Sequence, residues 1–233
     1  MKFEHFASGS SGNFYILENE ISKILIECGI PFRKIQEAVN FRLYEFDGCL
    51  VSHAHLDHCK AHVEVMKSGI DLYMSQETKE KLNANGHRAK VFQDRKVFNV
   101  GGFNVFAFPT QHDIEGSYGF LIKSRISRES LLYITDTYYS KYTFKGVTMI
   151  AVECNYNDEL LKQNIDDGVI HEGRIKRIKM SHFSLNHLID FLNACDLSEV
   201  SVIYLLHLSN QNADEKFIKE EVQKATGRVV EIC

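Results

Sequence analysis

Between Val51 and His62 the chain reads VSHAHLDHCKAH, which places four histidines and an aspartate within twelve residues. Such side chains contribute little to an apolar core, whereas neutral imidazole and carboxylate are good ligands for a divalent cation such as zinc. His53 and His55 are two residues apart, so an extended backbone points both to the same side. Asp57 and His58 fall on the turn into a helical pattern. The arrangement can supply two ligands to one metal and two to a neighbour. A solvated polar loop accounts for any single histidine here, but not for four ligand-type residues in the six positions of HAHLDH. His5, His62, His87 and His171 stand outside such a pattern and read as surface or structural residues.

The stretch SHAHLDH resembles the defining motif of the metallo-β-lactamase superfamily. That resemblance implies an α/β chain folded as an αβ/βα sandwich, two mixed sheets with helices on the outer faces and a metal site at one edge. It also implies three further ligands at strand ends. Candidates occur in order: His112 in FAFPTQHDIEGSYGF, Asp136 in LLYITDT and His207 in VIYLLHLSN. By resemblance, His53, His55 and His112 hold one metal, Asp57, His58 and His207 hold a second, and Asp136 bridges them. Two divalent ions are implied, with Zn²⁺ expected and Mn²⁺ the alternative that N/O ligands also suit. Ions about 3.5–4 Å apart can activate a shared water and clamp the attacking and leaving oxygens of an in-line displacement.

FASGSSGNFYILE, ECNYNDELL, SHFSLNHLIDFL and LLHLSNQNADE extend the resemblance over nearly the whole chain. They are similar to the nuclease-like branch containing YycJ and the RNase Z enzymes, and to phage anti-Pycsar phosphodiesterases that destroy cyclic pyrimidine mononucleotides. The resemblance gives Asp57 a second role, orienting or deprotonating the attacking water, and makes His182 of MSHFS the candidate general acid. A histidine capping the next helix is the plainer account of His182. SGSSGN, with Ser11, would present backbone N–H groups to a phosphate, or else forms a simple turn. Asn155 and Ser209 are further candidates for substrate contact.

The expected activity is hydrolysis of 3′,5′-cyclic nucleotides such as cyclic CMP and UMP to nucleoside monophosphates, as a viral counter-defence. A metal-dependent DNA or RNA nuclease is the alternative, and a non-catalytic module that sequesters a nucleotide is the third. The chain lacks the long Gly/Pro-rich arm of tRNA-processing members and the large insertion of RNA-cleaving ones. The expected partners are a cyclic mononucleotide and, by resemblance, a second copy of the chain. A polynucleotide belongs to the nuclease alternative, for which GRIKRIK (Gly173–Lys179) is a short basic run.

The elements that must position these residues can be read from hydropathy. KFEHF, NFYILE and KILIEC suggest strands, and Pro31 suits the first position of a helix with Ile35, Ala38 and Val39 on its apolar side. GCLVS is a short buried strand running into the histidines, DLYMS another, and Ser75 caps a helix over QETKEKL. Val97–Val100 and Phe103–Phe108 form a hairpin about Gly101-Gly102. YGFLIKS and LLYITD continue as strands. Next come strand VTMIAVE, helices from Asn157 and Ser184, strand VSVIYLLH, helix Ala213–Ala225 and strand RVVEI.

With 233 residues, 44% hydrophobic and 25% charged, the chain has the balance of one globular domain over 1–233. No apolar run reaches the length of a membrane span, and MKFEHFASGS lacks a signal-peptide core, so a cytoplasmic protein is expected. Six scattered cysteines without a CxxC pair are expected to stay free thiols. A net charge of −4 argues against a protein that coats nucleic acid.

Overall fold

The computed structural model describes residues 1–233, the side chain of Glu172 excepted. The chain divides into two compact units, Met1–Pro109 with Ile114–Ser130, and Thr110–Asp113 with Leu131–Cys233.

The first unit opens with an antiparallel meander of β1 (Lys2–Ala7), β2 (Phe14–Asn19) and β3 (Ser22–Ile26). Parallel strands β4 (Gly48–Leu50), β5 (Leu72–Met74) and β6 (Ala89–Val91) extend it from β3. Phe14 to Leu17 and all of β4 are buried, as continuous apolar runs require when both faces are covered. Helices α1 (Phe32–Ala38), α2 (Leu56–Cys59), α3 (His62–Lys67) and α4 (Gln76–Lys81) connect these strands. Ile35, Val39, Val65 and Ile70 join Phe14, Leu25 and Val51 in one core cluster. Ser75 caps α4 as expected, its side chain accepting from the Thr78 amide. β7 (Val97–Val100), β8 (Phe103–Pro109) and β9 (Tyr118–Ser124) form an antiparallel ladder, with the expected hairpin pairing Val100 and Phe103.

The second unit is built on parallel strands β10 (Ser130–Ile134), β11 (Met149–Glu153), β12 (Val202–Leu206) and β13 (Val229–Ile232). Every residue of β10 and β11 is buried. Helices α5 (Asp158–Asp166), α6 (Glu172–Ser181), α7 (Leu185–Ala194) and α8 (Glu215–Thr226) link them. The α7 face carrying Leu185, Leu188, Phe191 and Leu192 is buried, the spacing an amphipathic helix uses. Asn157, His171, Ser184 and Asp214 cap the helix starts with side-chain acceptors.

In all, the strands make two mixed sheets, ordered β1-β2-β3-β4-β5-β6 and β13-β12-β11-β10-β9-β8-β7, with helices between the parallel strands. This is the expected α/β class. Three details differ from the sequence reading. Pro31 is the cap of α1 rather than its first residue. Asp57 and His58 lie within α2, not ahead of a helix. α3 had no visible stripe, because Val65 is its one buried residue. All six cysteines are free thiols, as expected, and four of them are buried. Among the described residues no helix is long and apolar enough to cross a membrane.

Candidate metal centre

In both units most ligand-type residues lie at or just beyond the carboxyl ends of parallel strands, where open α/β sheets bind their ligands, while His112 follows antiparallel β8 and His182 ends α6. In the first unit β4 runs into Ser52 and His53, and His55 caps α2. The Ser52 hydroxyl meets His53 Nδ1 at 2.9 Å, which turns His53 Nε2 towards His55 Nδ1, 3.1 Å away. Two imidazole nitrogens converging on one point form a donor set that a divalent cation fits. His58, fully buried, has Nε2 3.4 Å from Asp57 Oδ2 and 3.2 Å from Asn13 Nδ2.

Behind these rings is Glu27, a buried residue absent from the sequence reading. One carboxylate oxygen accepts from the Ser52 amide at 3.2 Å, and the other lies 3.5 Å from His58 Nδ1. Holding the far nitrogen of a ligating histidine is the usual task of such a carboxylate.

The SGSSGN loop is tied to the same place. The Asn13 amide donates to the Asp57 carbonyl at 2.7 Å, and Asn13 Oδ1 accepts from the Gly9 amide at 2.9 Å. Gly29 lets the chain after β3 pass this close, because a Cβ there would sit 1.7 Å from the Asp57 carbonyl oxygen. Cys59 contributes no thiolate: burial pushes its pKa far up, and its Sγ donates to the His55 carbonyl.

In the second unit Asp136 follows β10, Glu153 ends β11 and His207 follows β12. His112 donates from Nδ1 to the Ser181 carbonyl at 3.0 Å. That leaves Nε2 on the side of Asp136 Oδ2, 3.6 Å away, and Asp113 Oδ1, 3.2 Å away. Burial lowers the His112 pKa, against the pull of Asp136 and Asp113, and so favours the neutral ring that a metal needs.

Asp136, Glu153, His182 and His207 each offer a ligand atom within 4.8 Å of the others. Glu153, fully buried, is the hub of this group. Its Oε2 accepts from the Thr137 and Phe183 amides, and its Oε1 lies 2.5 Å from His182 Nδ1 and 3.2 Å from His207 Nδ1. Burial works against both charges of the Glu153–His182 pair, yet their attraction prevails. Glu153 is held below and His182 above its ordinary pKa. Because Glu153 already serves two amides and two imidazoles, it fits a positioning role better than that of a ligand.

Backbone strain marks the same positions. Glu27, Asp136 and His207 have φ values of 62°, 43° and 53°, in the left-handed region that side chains other than glycine rarely adopt. All three turn sharply off a strand end, a cost of order 1–3 kcal/mol each that clusters at functional sites.

The structure thus brings His53, His55, Asp57 and His58 together in the first unit and His112, Asp136, His182 and His207 in the second. The candidate substrate contacts fare differently. Asn155 donates from Nδ2 to the His207 carbonyl at 3.0 Å and lies 3.3 Å from His207 Nδ1, so it anchors that residue. Ser209 accepts from the Gln211 and Asn212 amides and shapes the turn after His207. Ser11 is exposed in the SGSSGN loop. His182 caps the C-terminal end of α6 and touches Glu153. Two buried glutamates and Asn13 were missed. The signal that could have found the glutamates is an acidic residue ending or following an apolar run, in KILIE and MIAVE.

Residues 22–208 match the family described as the beta-lactamase superfamily domain. The exodeoxyribonuclease WalJ of Streptococcus pneumoniae is 28% identical over 91% of this chain and 82% of its own length. The exodeoxyribonuclease YycJ of Bacillus anthracis is 26% identical over 99% and 89%. Among solved structures, the metallo-beta-lactamase fold protein YhfI of Bacillus subtilis superposes with a TM-score of 0.74 at 15% identity, covering 99% of this chain and 95% of that one.

Proposed function

The chain belongs to the beta-lactamase superfamily domain family, and on that premise we propose that it is a metal-dependent nuclease releasing nucleotides from DNA ends. One observation carries this reading: its similarity to two exodeoxyribonucleases extends along nearly its whole length. The cyclic-nucleotide activity expected from the sequence becomes the second reading, favoured by the net charge of −4. Its viral counter-defence role goes with it.

In this reading the ligand set that the motif resemblance implies would hold two divalent ions. His53, His55 and His112 serve one ion, Asp57, His58 and His207 the other, and Asp136 both. Zinc suits this nitrogen-rich set, and manganese is the alternative. When bound, such ions supply Lewis acidity to the phosphodiester and to an attacking water.

The chain's own groups do the rest. Asp57, in the first turn of α2, orients the water and accepts its proton. His182 gives a proton from Nε2 to the leaving oxygen, since Nδ1 is engaged by Glu153. The raised His182 pKa suits an acid at neutral pH. α6 carries exposed Arg174, Lys176 and Lys179 and runs directly into His182, which supports an approach path for phosphates. We also keep a pairing of two copies as a proposal, to be tested by light scattering across a concentration series.

The deciding assay incubates metal-loaded protein with end-labelled single- and double-stranded DNA and, separately, with cyclic CMP, UMP, AMP and GMP. Mononucleotides accumulating from strand ends are expected. Intact strands alongside opened cyclic nucleotides would transfer the assignment to the second reading.

A further inference from the structure

A cavity of about 520 Å³ in the second unit is lined by Tyr138, Tyr139, Lys141, Phe183, His187 and Asp190, among others. Two of its walls grow out of the reacting groups. Phe183 follows His182 directly, and Tyr138 lies two residues beyond Asp136. Consecutive Cα atoms are about 3.8 Å apart, so the Phe183 backbone adjoins that of His182 and the Tyr138 Cα lies at most about 7.6 Å from that of Asp136.

The walls are also fixed to the same hub. The Thr137 and Phe183 amides both donate to Glu153 Oε2, and Thr137 Oγ1 donates to the Tyr139 carbonyl at 2.7 Å. Phe183 is buried and packs against Phe191 of α7, the rings 5.8 Å apart and tilted by 30°, giving a firm apolar floor. Tyr139, by contrast, is 56% exposed, a large aromatic surface left to solvent beside the floor. His187 and Asp190 stand exposed one α7 turn apart at the polar edge, and Lys141 adds a cation.

We propose that this cavity seats the nucleobase of the nucleotide being released, stacked on Tyr139 with its polar edge towards His187 and Asp190. The inference rests on the proposed nucleotide chemistry and adds to it a base-binding subsite. An apolar floor, an exposed aromatic face and a few polar groups at the rim are what a planar heterocycle with hydrogen-bonding edges requires. Stacking on an aromatic side chain is tolerant of base identity and strong enough to register in affinity.

The test uses the fluorescent base 2-aminopurine, whose emission is quenched on stacking, in the metal-chelated protein so that binding is read without turnover. 2-Aminopurine nucleoside monophosphate and oligonucleotides ending in it at the 5′ or 3′ terminus are titrated. Quenching is expected for the mononucleotide and for one terminus. Tyr139→Ala should weaken that binding about tenfold, within the range of a lost stack, and Tyr139→Phe should restore it. An oligonucleotide with an abasic terminus should bind the wild type about as weakly as the intact end binds Tyr139→Ala. Equal quenching by wild type and Tyr139→Ala, or none by the wild type, overturns the base seat, including the case in which a second copy covers the cavity. Failure to degrade DNA in the separate activity assay would instead remove the nuclease reading and leave the mononucleotide titration to decide the seat.

Discussion

The two ligand clusters are built to one plan from opposite kinds of sequence. In the first unit His53, His55, Asp57 and His58 crowd into six positions and are backed by Glu27. In the second, His112, Asp136, His182 and His207 are spread over almost a hundred residues; Asp136, His182 and His207 are gathered around Glu153, and His112 lies against Asp136. Each cluster has one fully buried glutamate at the end of a parallel strand, accepting backbone amides while it holds imidazoles. The first hub lies against the His58 ring, while the second binds His182 in a charged pair. On the proposed reading the first half takes a proton from the attacking water at Asp57, and the second gives one to the leaving oxygen from His182, whose charge Glu153 sustains.

The largest expected effects probe that division. Asp57→Ala should lower kcat by about 10²–10⁴, the usual worth of a proton-transferring group, and should also lower metal content. His182→Ala should cost about 10²-fold in kcat with metal content unchanged. Elemental analysis beside single-turnover kinetics reads both. Metal loss in His182→Ala would make that residue a ligand and erase the contrast.

Next comes a steric test that the first cluster should fail. Gly29→Ala places a methyl 1.7 Å from the Asp57 carbonyl oxygen and 2.7 Å from the His58 amide nitrogen, so backbone must shift. Overpacking of this kind costs about 1–3 kcal/mol or more, enough to displace the α2 ligands. Gly173→Ala in α6 is the counterpart in the second unit, where the new methyl meets the His171 ring at 3.3 Å. It should leave stability within about 1 kcal/mol of wild type. Thermal melts of the metal-free proteins compare them, and a single transition in each would also support the one-domain reading of residues 1–233.

These two variants mark what the sequence makes legible. A contiguous HAHLDH is visible because neighbouring residues on a strand and a turn share a side by local geometry alone. The parallel strands other than β6 were visible as apolar runs, and so were the Ser75 cap of α4 and the starts of α5 and α7 at Asn157 and Ser184. The second cluster offers no such local cue. His112, Asp136 and His207 are single residues after apolar strands, and only resemblance to a family selects them. Glu27 and Glu153 escaped because a glutamate at a strand end ordinarily reads as a solvated terminus. Left-handed φ at Glu27, Asp136 and His207 has no signature either, since no glycine announces the turn.

A smaller pair of effects sharpens the roles of the two hubs. Glu27→Gln and Glu153→Gln keep shape and remove a charge. Loss of a group that orients a ligand or catalyst typically costs about 10–100-fold. For Glu27→Gln the loss should appear in metal affinity, read by competition with a chromogenic chelator, because its imidazole partner is His58. For Glu153→Gln it should appear in kcat, because the His182 imidazolium loses the carboxylate that raises its pKa. The same loss should move the basic limb of the kcat profile to lower pH. Equal losses of metal affinity in both variants would leave the two clusters indistinguishable.

The faintest effect asks whether the first cluster needs its metal to stay folded. Cys28 and Cys59 are buried beside it, and Cys59 Sγ donates to the His55 carbonyl at 3.0 Å. In the second unit Cys195 and Cys233 are half-buried, with burial raising their pKa to about 11 and about 12. Thiolates are the reactive form, so at pH 8 a disulfide reagent should label Cys195 and Cys233 slowly and the buried thiols hardly at all. Chelation should change this pattern little. The hydrogen bonds of Asn13, Ser52 and Glu27 hold the loop, the strand end and α2 together without an ion. Rapid labelling of Cys59 after chelation, located by mass spectrometry, would mean that the cation organises the first cluster and that its protein scaffold alone does not.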